Sequence, residues 1–370
     1  MTSSPRFDGL TIRELQIPFK TTFKHASAER RHTQSIWVEA RRDGYTGYGE
    51  GCPRRYVTGE SVASAMDFYR AFKDELLDQV WDTDTLQAWA INCKSAIDRN
   101  PAAWCAIELA LLDLFAREQG CSVEEHLSLA PLATEFRYSA VLGDTSPEAF
   151  ATQLGRYREM GFSDFKVKLS GDLTRDRAKL EAFELERHPE ITVRCDANNL
   201  WLQPEPALKF FTDLGFPFCA IEEPLHAFQY DDLEILARRL NTRIVLDESL
   251  LFAEQLSRLA ASPDTWLINV RVSKMGGLLR ALAVVKKART LGIQVIVGAH
   301  VGETSLLTRA GLTVASHAHE LLFAQEGAFG TWLLTKDVCR PTLQFSRGGI
   351  LRPEGRLGDH SGWGLGTALN

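Results

Sequence analysis

Three carboxylates stand at the ends of three successive strand-like runs: Asp196 closes Ile191–Asp196, Glu222 closes Phe218–Glu222, and Asp247 closes Arg243–Asp247. Acids brought to one point in a low-dielectric cleft repel one another strongly unless a cation lies between them. Any one such acid is ordinarily a solvated or salt-bridged loop carboxylate. The spaced set of three is what points to a metal. Oxygen ligands without His or Cys select a hard ion, and three carboxylates leave positions open for water and substrate. That suits octahedral Mg²⁺, with Mn²⁺ as the other candidate.

The run before this series, Phe165–Leu169, carries Lys166 and Lys168. Residues i and i+2 of a strand share a face, so the two lysines point the same way, as do Asp196 and Asn198. Two ammonium groups side by side depress one another's pKa, which moves a lysine toward acting as a base near neutral pH. Lys168, nearer the strand end, is the proton-transferring candidate. A further lysine, Lys274, follows the run Trp266–Val272 in Lys274-Met275-Gly276-Gly277. It falls four strands beyond the pair and so faces a bound substrate from the opposite side, provided that a bend before the glycines aims it inward. A base on each face is what inversion of a carbon centre requires. A lysine pair alone is ordinarily a solvated surface feature; a pair that precedes the acid series is not. Removing a proton from the carbon beside a carboxylate makes an enediolate, whose charge a metal stabilises as it develops.

The elements that must position these residues are legible in outline. Thr11–Ile17, Thr33–Arg41 and a short strand near Tyr48 read as a small antiparallel sheet, with Asp43-Gly44 as a turn and Pro18 as a stop. Ser61–Val80 and Ala102–Glu118 read as helices, the second with Ile107, Leu111, Leu114 and Phe115 at helical spacing. From Phe136 onward the runs Phe136–Leu142, Phe165–Leu169, Ile191–Asp196, Phe218–Glu222, Arg243–Asp247, Trp266–Val272, Gln294–Gly298 and Leu321–Gln325 alternate with amphipathic segments. Successive runs lie about 25 to 30 residues apart, the arithmetic of a (β/α)8 TIM-like barrel. A doubly wound open sheet allows the same alternation, but no Gly-rich dinucleotide fingerprint follows an early strand. The expected organisation is an N-terminal α+β capping domain over 1–130, the barrel over 131–338, and a segment over 339–370 that returns across the cap.

Composition sets the outer bounds. The chain has 370 residues, 45% hydrophobic and 24% charged, with a formal net charge of −6. That is ordinary globular composition and gives no basic stripe, so nucleic acid is not an expected partner. No stretch approaches the roughly 20 apolar residues needed to span a bilayer, and Met1–Leu10 lacks a signal pattern, so a cytoplasmic location is expected. Seven scattered cysteines with no CxxC pair disfavour a disulfide framework or a zinc site and read as reduced, interior thiols.

The ordered set KVK, DANNLW, IEEP, DES and KMGG, together with Ala106-Ile107-Glu108-Leu109-Ala110-Leu111-Leu112-Asp113-Leu114, resembles the enolase superfamily and, within it, the mandelate racemase/muconate lactonizing enzyme family, nearest to its muconate lactonizing subgroup. The resemblance covers nearly the whole chain. It implies Asp196, Glu222 and Asp247 as Mg²⁺ ligands, Lys168 and Lys274 as the acid/base pair, and Lys166 beside the substrate carboxylate. Mandelate racemase pairs a histidine on the seventh strand with an aspartate on the sixth, and this chain has Asn269, Arg271 and Ser273 there instead. Dipeptide epimerases carry Asp-x-Asp on the eighth strand; here Ala324-Gln325-Glu326 leaves Glu326 as the cation partner. His300 stands where relatives often have a non-ionising residue and is either an added acid for a leaving group or a hydrogen-bonded loop histidine. Thr21-Thr22-Phe23-Lys24-His25 and Arg54-Arg55-Tyr56-Val57-Thr58 resemble lid loops that close over a small anion. Lys24, Tyr56, Asn198, His300 and Glu326 are accordingly the substrate-facing candidates. The activity expected is Mg²⁺-dependent racemisation or epimerisation of an amino-acid derivative bearing a carboxylate. The alternatives are a lyase using the same enediolate, as dehydratase or cycloisomerase, and a metal-binding barrel without catalysis. The resemblance also implies a homo-oligomer.

Overall fold

The strand Tyr45–Gly51 places Gly47, Gly49 and Gly51 on one face, and the helix Pro101–Glu118 places Ala102, Ala106 and Ala110 on one of its own. A Cβ on those glycines would lie 2.1 Å from Ala110 O, 1.9 Å from Ala106 O and 2.0 Å from Ala102 O. Only hydrogen fits, so the helix seats directly on the strand. Every residue from Pro101 to Ala116 is buried, as expected of a helix apolar nearly all round. The glycine strand pairs antiparallel with Ser35–Arg42, which pairs with Gly9–Leu15. The helix Val62–Gln79 packs alongside, its first turn closed by reciprocal Ser61 and Ser64 bonds of 3.1 and 2.9 Å. This is the α+β cap. The structure, a computed structural model, describes residues 7–25, 28–184, 190–355, 357–358 and 361–369, with backbone alone for 23–25, 28–29 and 184.

Eight strands, Ala140–Leu142, Asp164–Lys168, Thr192–Asp196, Ala220–Glu222, Arg243–Leu246, Trp266–Val270, Gln294–Val297 and Leu322–Gln325, pair in parallel in that order. The circle closes where Ser139 N donates to Gln325 O at 2.8 Å. The (β/α)8 barrel read from the sequence is therefore the fold. Inside it, Ala220, Val245, Leu267, Ile296 and Ala324 form a separate apolar layer. Two residues further along the same face stand Glu222, Asp247, Asn269, Gly298 and Glu326. One turn of the period-2 pattern thus converts a dry plug into a polar rim at the carboxyl ends of the strands.

Three readings are corrected. The run Phe136–Leu142 is two strands: Phe136–Arg137 pairs antiparallel with Ile350–Leu351, and only Ala140–Leu142 enters the barrel. The run Trp266–Val272 ends at Val270, and Val272–Met275 forms a short helix. Pro18 starts a strand instead of stopping one: Pro18–His25 forms a hairpin with Ala28–His32. Downstream of the barrel, Trp363 N donates to Asp113 Oδ1 at 2.8 Å and Val123 N to Gly362 O at 3.1 Å, so the C-terminal segment lies against the cap.

Buried acids fasten cap to barrel. Glu50 accepts from Thr304 N at 3.1 Å and from its hydroxyl at 2.6 Å, at the start of the helix Ser305–His317. Glu108 accepts from Leu279 N at 3.0 Å, at the start of the helix Leu278–Leu291. Gly277, at φ +105°, precedes that helix, and a Cβ there would lie 2.2 Å from Glu108 Oε1. Each carboxylate meets free N–H groups at a helix N-terminus. Among the described residues, no helix is long and apolar enough to cross a membrane.

Candidate active site

The strand register brings the predicted residues to one level. Lys168 pairs with Asp196, and Asp196 with Glu222, across neighbouring strands. Past each strand end the backbone turns through left-handed conformations, with Asn198 at φ 46° and Glu223 at φ 40°, so consecutive acids of one motif diverge. Glu222 points into the barrel. Glu223 turns sideways and accepts from Asp247 N and Ser249 N, both at 2.7 Å, and from Ser249 Oγ at 2.8 Å. It thereby fixes the loop that carries Asp247.

Lys166 Nζ lies 3.1 Å from Asp196 Oδ2, 2.7 Å from Glu222 Oε2 and 3.0 Å from Glu326 Oε2. Lys168 Nζ donates to Asp196 Oδ2 at 2.5 Å and to Asn198 Oδ1 at 3.0 Å. On the far side, Lys274 Nζ donates to Asp247 Oδ1 at 2.8 Å and to the carbonyls of Asp247 and Asn269 at 2.7 Å each. The short helix Val272–Met275 is the bend that turns Lys274 inward. Arg271 pairs with Asp247 and lies 3.8 Å from Glu222 Oε1.

The electrostatics follow from these contacts. Burial opposes charge on Lys166, yet Glu222, Glu326 and Asp196 outweigh it and hold the ammonium well above its ordinary range. For Lys166 this reverses the expectation of a depressed pKa; three carboxylates around one ammonium override a like neighbour. Burial likewise opposes ionisation of Asp196 and Asp247, but Lys168 and Lys166 hold the first low, and Arg271 and Lys274 the second. Burial pushes Glu222 up to about 8, with Asp196 and Glu326 adding to it against Lys166. Lys274 is lowered, first by burial.

Asp196, Glu222 and Asp247 are the donor chemistry of a hard dication, on three adjacent strands at one level. As the side chains stand, Lys166 and Arg271 lie between them, and among the described residues no three such ligands are gathered on a single point. Glu222 is raised first by burial and then by the acids around it, and a further positive charge would favour its ionised form. A divalent ion fits the set in donor type and in charge.

Lys166, Lys168, Asn198, Glu326, His300 and Tyr56 line one cavity of about 560 Å³. The three acids and Lys274 lie behind that lining, each about 1% exposed. Thr21 and Thr22 of the cap hairpin also reach the cavity; Lys24 falls outside the residues whose side chains are described. Sequence reasoning missed three contributors. Arg271 is one, though its place two residues after Asn269 on an inward face was a signal. Glu248, also in the lining, is buried, raised to about 8 by burial and by Asp247, and leaves Oε2 without a hydrogen bond. Arg194 holds Glu326 at 3.2 Å from within the barrel.

Known proteins are similar to this chain in sequence and fold. The family described as enolase C-terminal domain-like matches residues 149–370. A hydrophobic dipeptide epimerase of Enterococcus faecalis is 26% identical over 316 residues, covering 83% of this chain and 84% of its own. Muconate cycloisomerase 1 of Acinetobacter baylyi is 30% identical over 330 residues, covering 86% and 83%. A dipeptide epimerase of Methylococcus capsulatus, solved with Mg and the dipeptide L-Arg-D-Lys, superposes with a TM-score of 0.79 at 26% identity over 97% of this chain and 99% of its own. With more than half its length matched by that family, and with a relative 30% identical over most of both chains, the chain belongs to the enolase superfamily, within the mandelate racemase/muconate lactonizing enzyme family.

Proposed function

We propose that this protein is a Mg²⁺-dependent racemase or epimerase that exchanges the proton α to the carboxylate of an amino-acid derivative. The observation that carries the reading is the placement of two lysines on opposite flanks of one acid cluster, Lys168 bonded to Asp196 and Lys274 to Asp247. Relatives named as dipeptide epimerases, one of them solved with Mg and a dipeptide, support it.

Asp196, Glu222 and Asp247 are the residues that would hold the ion. When bound, it supplies positive charge against the carboxylate as negative charge develops there. The remaining work belongs to side chains of the chain itself. Lys166 stays protonated among its three acids and holds the substrate carboxylate, its ammonium fixed by Glu326, which Arg194 in turn holds from the other oxygen. Asn198 Oδ1 orients Lys168 Nζ, which takes the α-proton from one face. Lys274 Nζ delivers a proton to the other; burial lowers its affinity for protons, which suits an amine that must pass through its neutral form. Tyr56 and the hairpin residues Thr21 and Thr22 cover the cavity and exclude water. Seven unpaired thiols suit a reducing, cytoplasmic setting.

The test is incubation of N-acyl amino acids and dipeptides in D₂O with Mg²⁺, following the α-proton by NMR. Wild type washes the proton out without loss of a group, and Lys168→Ala slows exchange by about a thousandfold. Undiminished exchange in that variant sinks the assignment. A second reading, ring closure or dehydration, is favoured by the 30% identity to a muconate cycloisomerase; product formation without exchange would select it.

A further inference from the structure

His300 follows the seventh barrel strand Gln294–Val297, is 3% exposed, and lines the cavity. Its backbone N donates to Glu303 Oε1 at 2.6 Å, which locks the loop. Its ring Nδ1 lies 3.4 Å from Arg271 Nη1. A guanidinium has five donors and no acceptor, so Nδ1 must present its lone pair, and the ring proton must sit on Nε2. That leaves Nε2–H without a partner among the described residues, and it is not one of their buried, unbonded atoms, so it opens onto the cavity.

We propose that His300 is a specificity-determining donor: a neutral imidazole whose Nε2–H holds an oxygen acceptor on the polar arm of the substrate and which exchanges no proton during turnover. This rests on the reading of the protein as a racemase or epimerase and deepens it. A histidine that works as a base needs a partner that welcomes its charged form. The ring lies against Arg271, the other charges acting on it are the cations Arg54, Lys274 and Arg30, and Glu303 is spent on the backbone. Burial, then Arg271, hold its pKa well below the ordinary histidine range.

Two groups of lining residues say which arm it reads. One is an aromatic shelf in which Phe329 and Trp332 lie 5.3 and 6.4 Å from Phe345, with Tyr157 and Met160 also in the lining. The other is polar, with His300 beside Arg271 and Tyr56 also in the lining. With the substrate carboxylate at Lys166 and the α-proton at Lys168, two substituents of the α-carbon remain. The apolar one faces the shelf, and the oxygen-bearing one, an acyl or peptidyl carbonyl or a carboxylate, faces Nε2–H.

Nitrogen NMR of the histidine rings in the wild-type protein, assigned with His300→Gln, reads the tautomer without any substrate. A single Nε2–H signal from pH 5.5 to 8 is expected; an imidazolium or an Nδ1–H ring at pH 7 overturns the proposal. With L and D forms of an N-acyl amino acid or dipeptide that wild type epimerises, His300→Phe lowers exchange from both enantiomers alike, roughly tenfold and through KM. His300→Gln, which keeps an N–H donor, restores most of it, with the pH profile unchanged. Loss confined to one enantiomer, or loss of one limb of that profile, would make His300 a proton carrier and refute the assignment. If wild type exchanged no α-proton at all, the racemase reading would fall while the tautomer still judged this one.

Discussion

Two sets of buried acids in this molecule meet opposite fates. At the barrel mouth, Asp196, Asp247 and Glu326 are held ionised, against burial, by the side chains of Lys166, Lys168, Arg194, Arg271 and Lys274, though Glu222 beside them is driven up to about 8. In the seam under the cap, burial drives Glu50 up to about 8 and Glu108 up to about 7, although each accepts backbone N–H bonds. Amides bring only partial charges and cannot leave; ammonium and guanidinium groups bring whole charges on flexible stems and can. The difference separates a set of acids that can be handed from one cation to another from a set that only fastens helices.

Replacing the cation at the mouth should break the comparison most severely. Lys166→Met leaves Asp196, Glu222 and Glu326 facing one another, and about 3–5 kcal/mol of stability is expected to go in the absence of divalent metal. Melting curves with and without magnesium check it: the ion should restore most of the loss, and a Tm indifferent to magnesium would deny that these acids share a cation site. In the seam no ion can compensate. Gly277→Ala drives a methyl toward Glu108 in a backbone conformation that suits glycine, at about 2 kcal/mol in denaturant titration, with no recovery on adding magnesium. The smallest effect is one of slope. Because the folded pKa of Glu50 is raised, the folded state binds this proton more tightly than the unfolded one. Its contribution is therefore full below the ordinary glutamate range and is lost as pH rises through about 8, by at most about 1.4 kcal/mol per pH unit. Glu50→Gln should flatten the fall of Tm between pH 5 and 8; an unchanged slope would mean that Glu50 ionises normally.

How far the sequence reveals all this depends on the range of the cause. Asp196, Glu222, Asp247 and the Lys166/Lys168 pair are legible because strand ends and face alternation are local properties, and the barrel follows from counting them. The seam is partly legible too, since glycines at every second position and alanines at every fourth are a matching pair once helix and strand are known to touch. Lys274 is less so: its parity along the run points outward, and only the unforeseen helix Val272–Met275 reverses it. The strand Phe136–Arg137 could not be separated from the barrel by local pattern, because its partner Ile350–Leu351 lies more than two hundred residues away. Arg271 and Glu248 were passed over for another reason. Parity puts Arg271 on the inward face with Asn269, and Glu248 sits inside a motif, but nothing local tells what faces either of them across the barrel.

The cap hairpin has one last implication. Lys20 N donates to Leu333 O at 2.7 Å and Thr335 N to Pro18 O at 2.9 Å, with Phe19 bridged to Leu334 between them. The rim above the shelf is thus a ribbon woven from both ends of the chain, so a selectivity graft that imports the lid of a relative must bring residues 331–335 along, or it will arrive with half its selvedge missing.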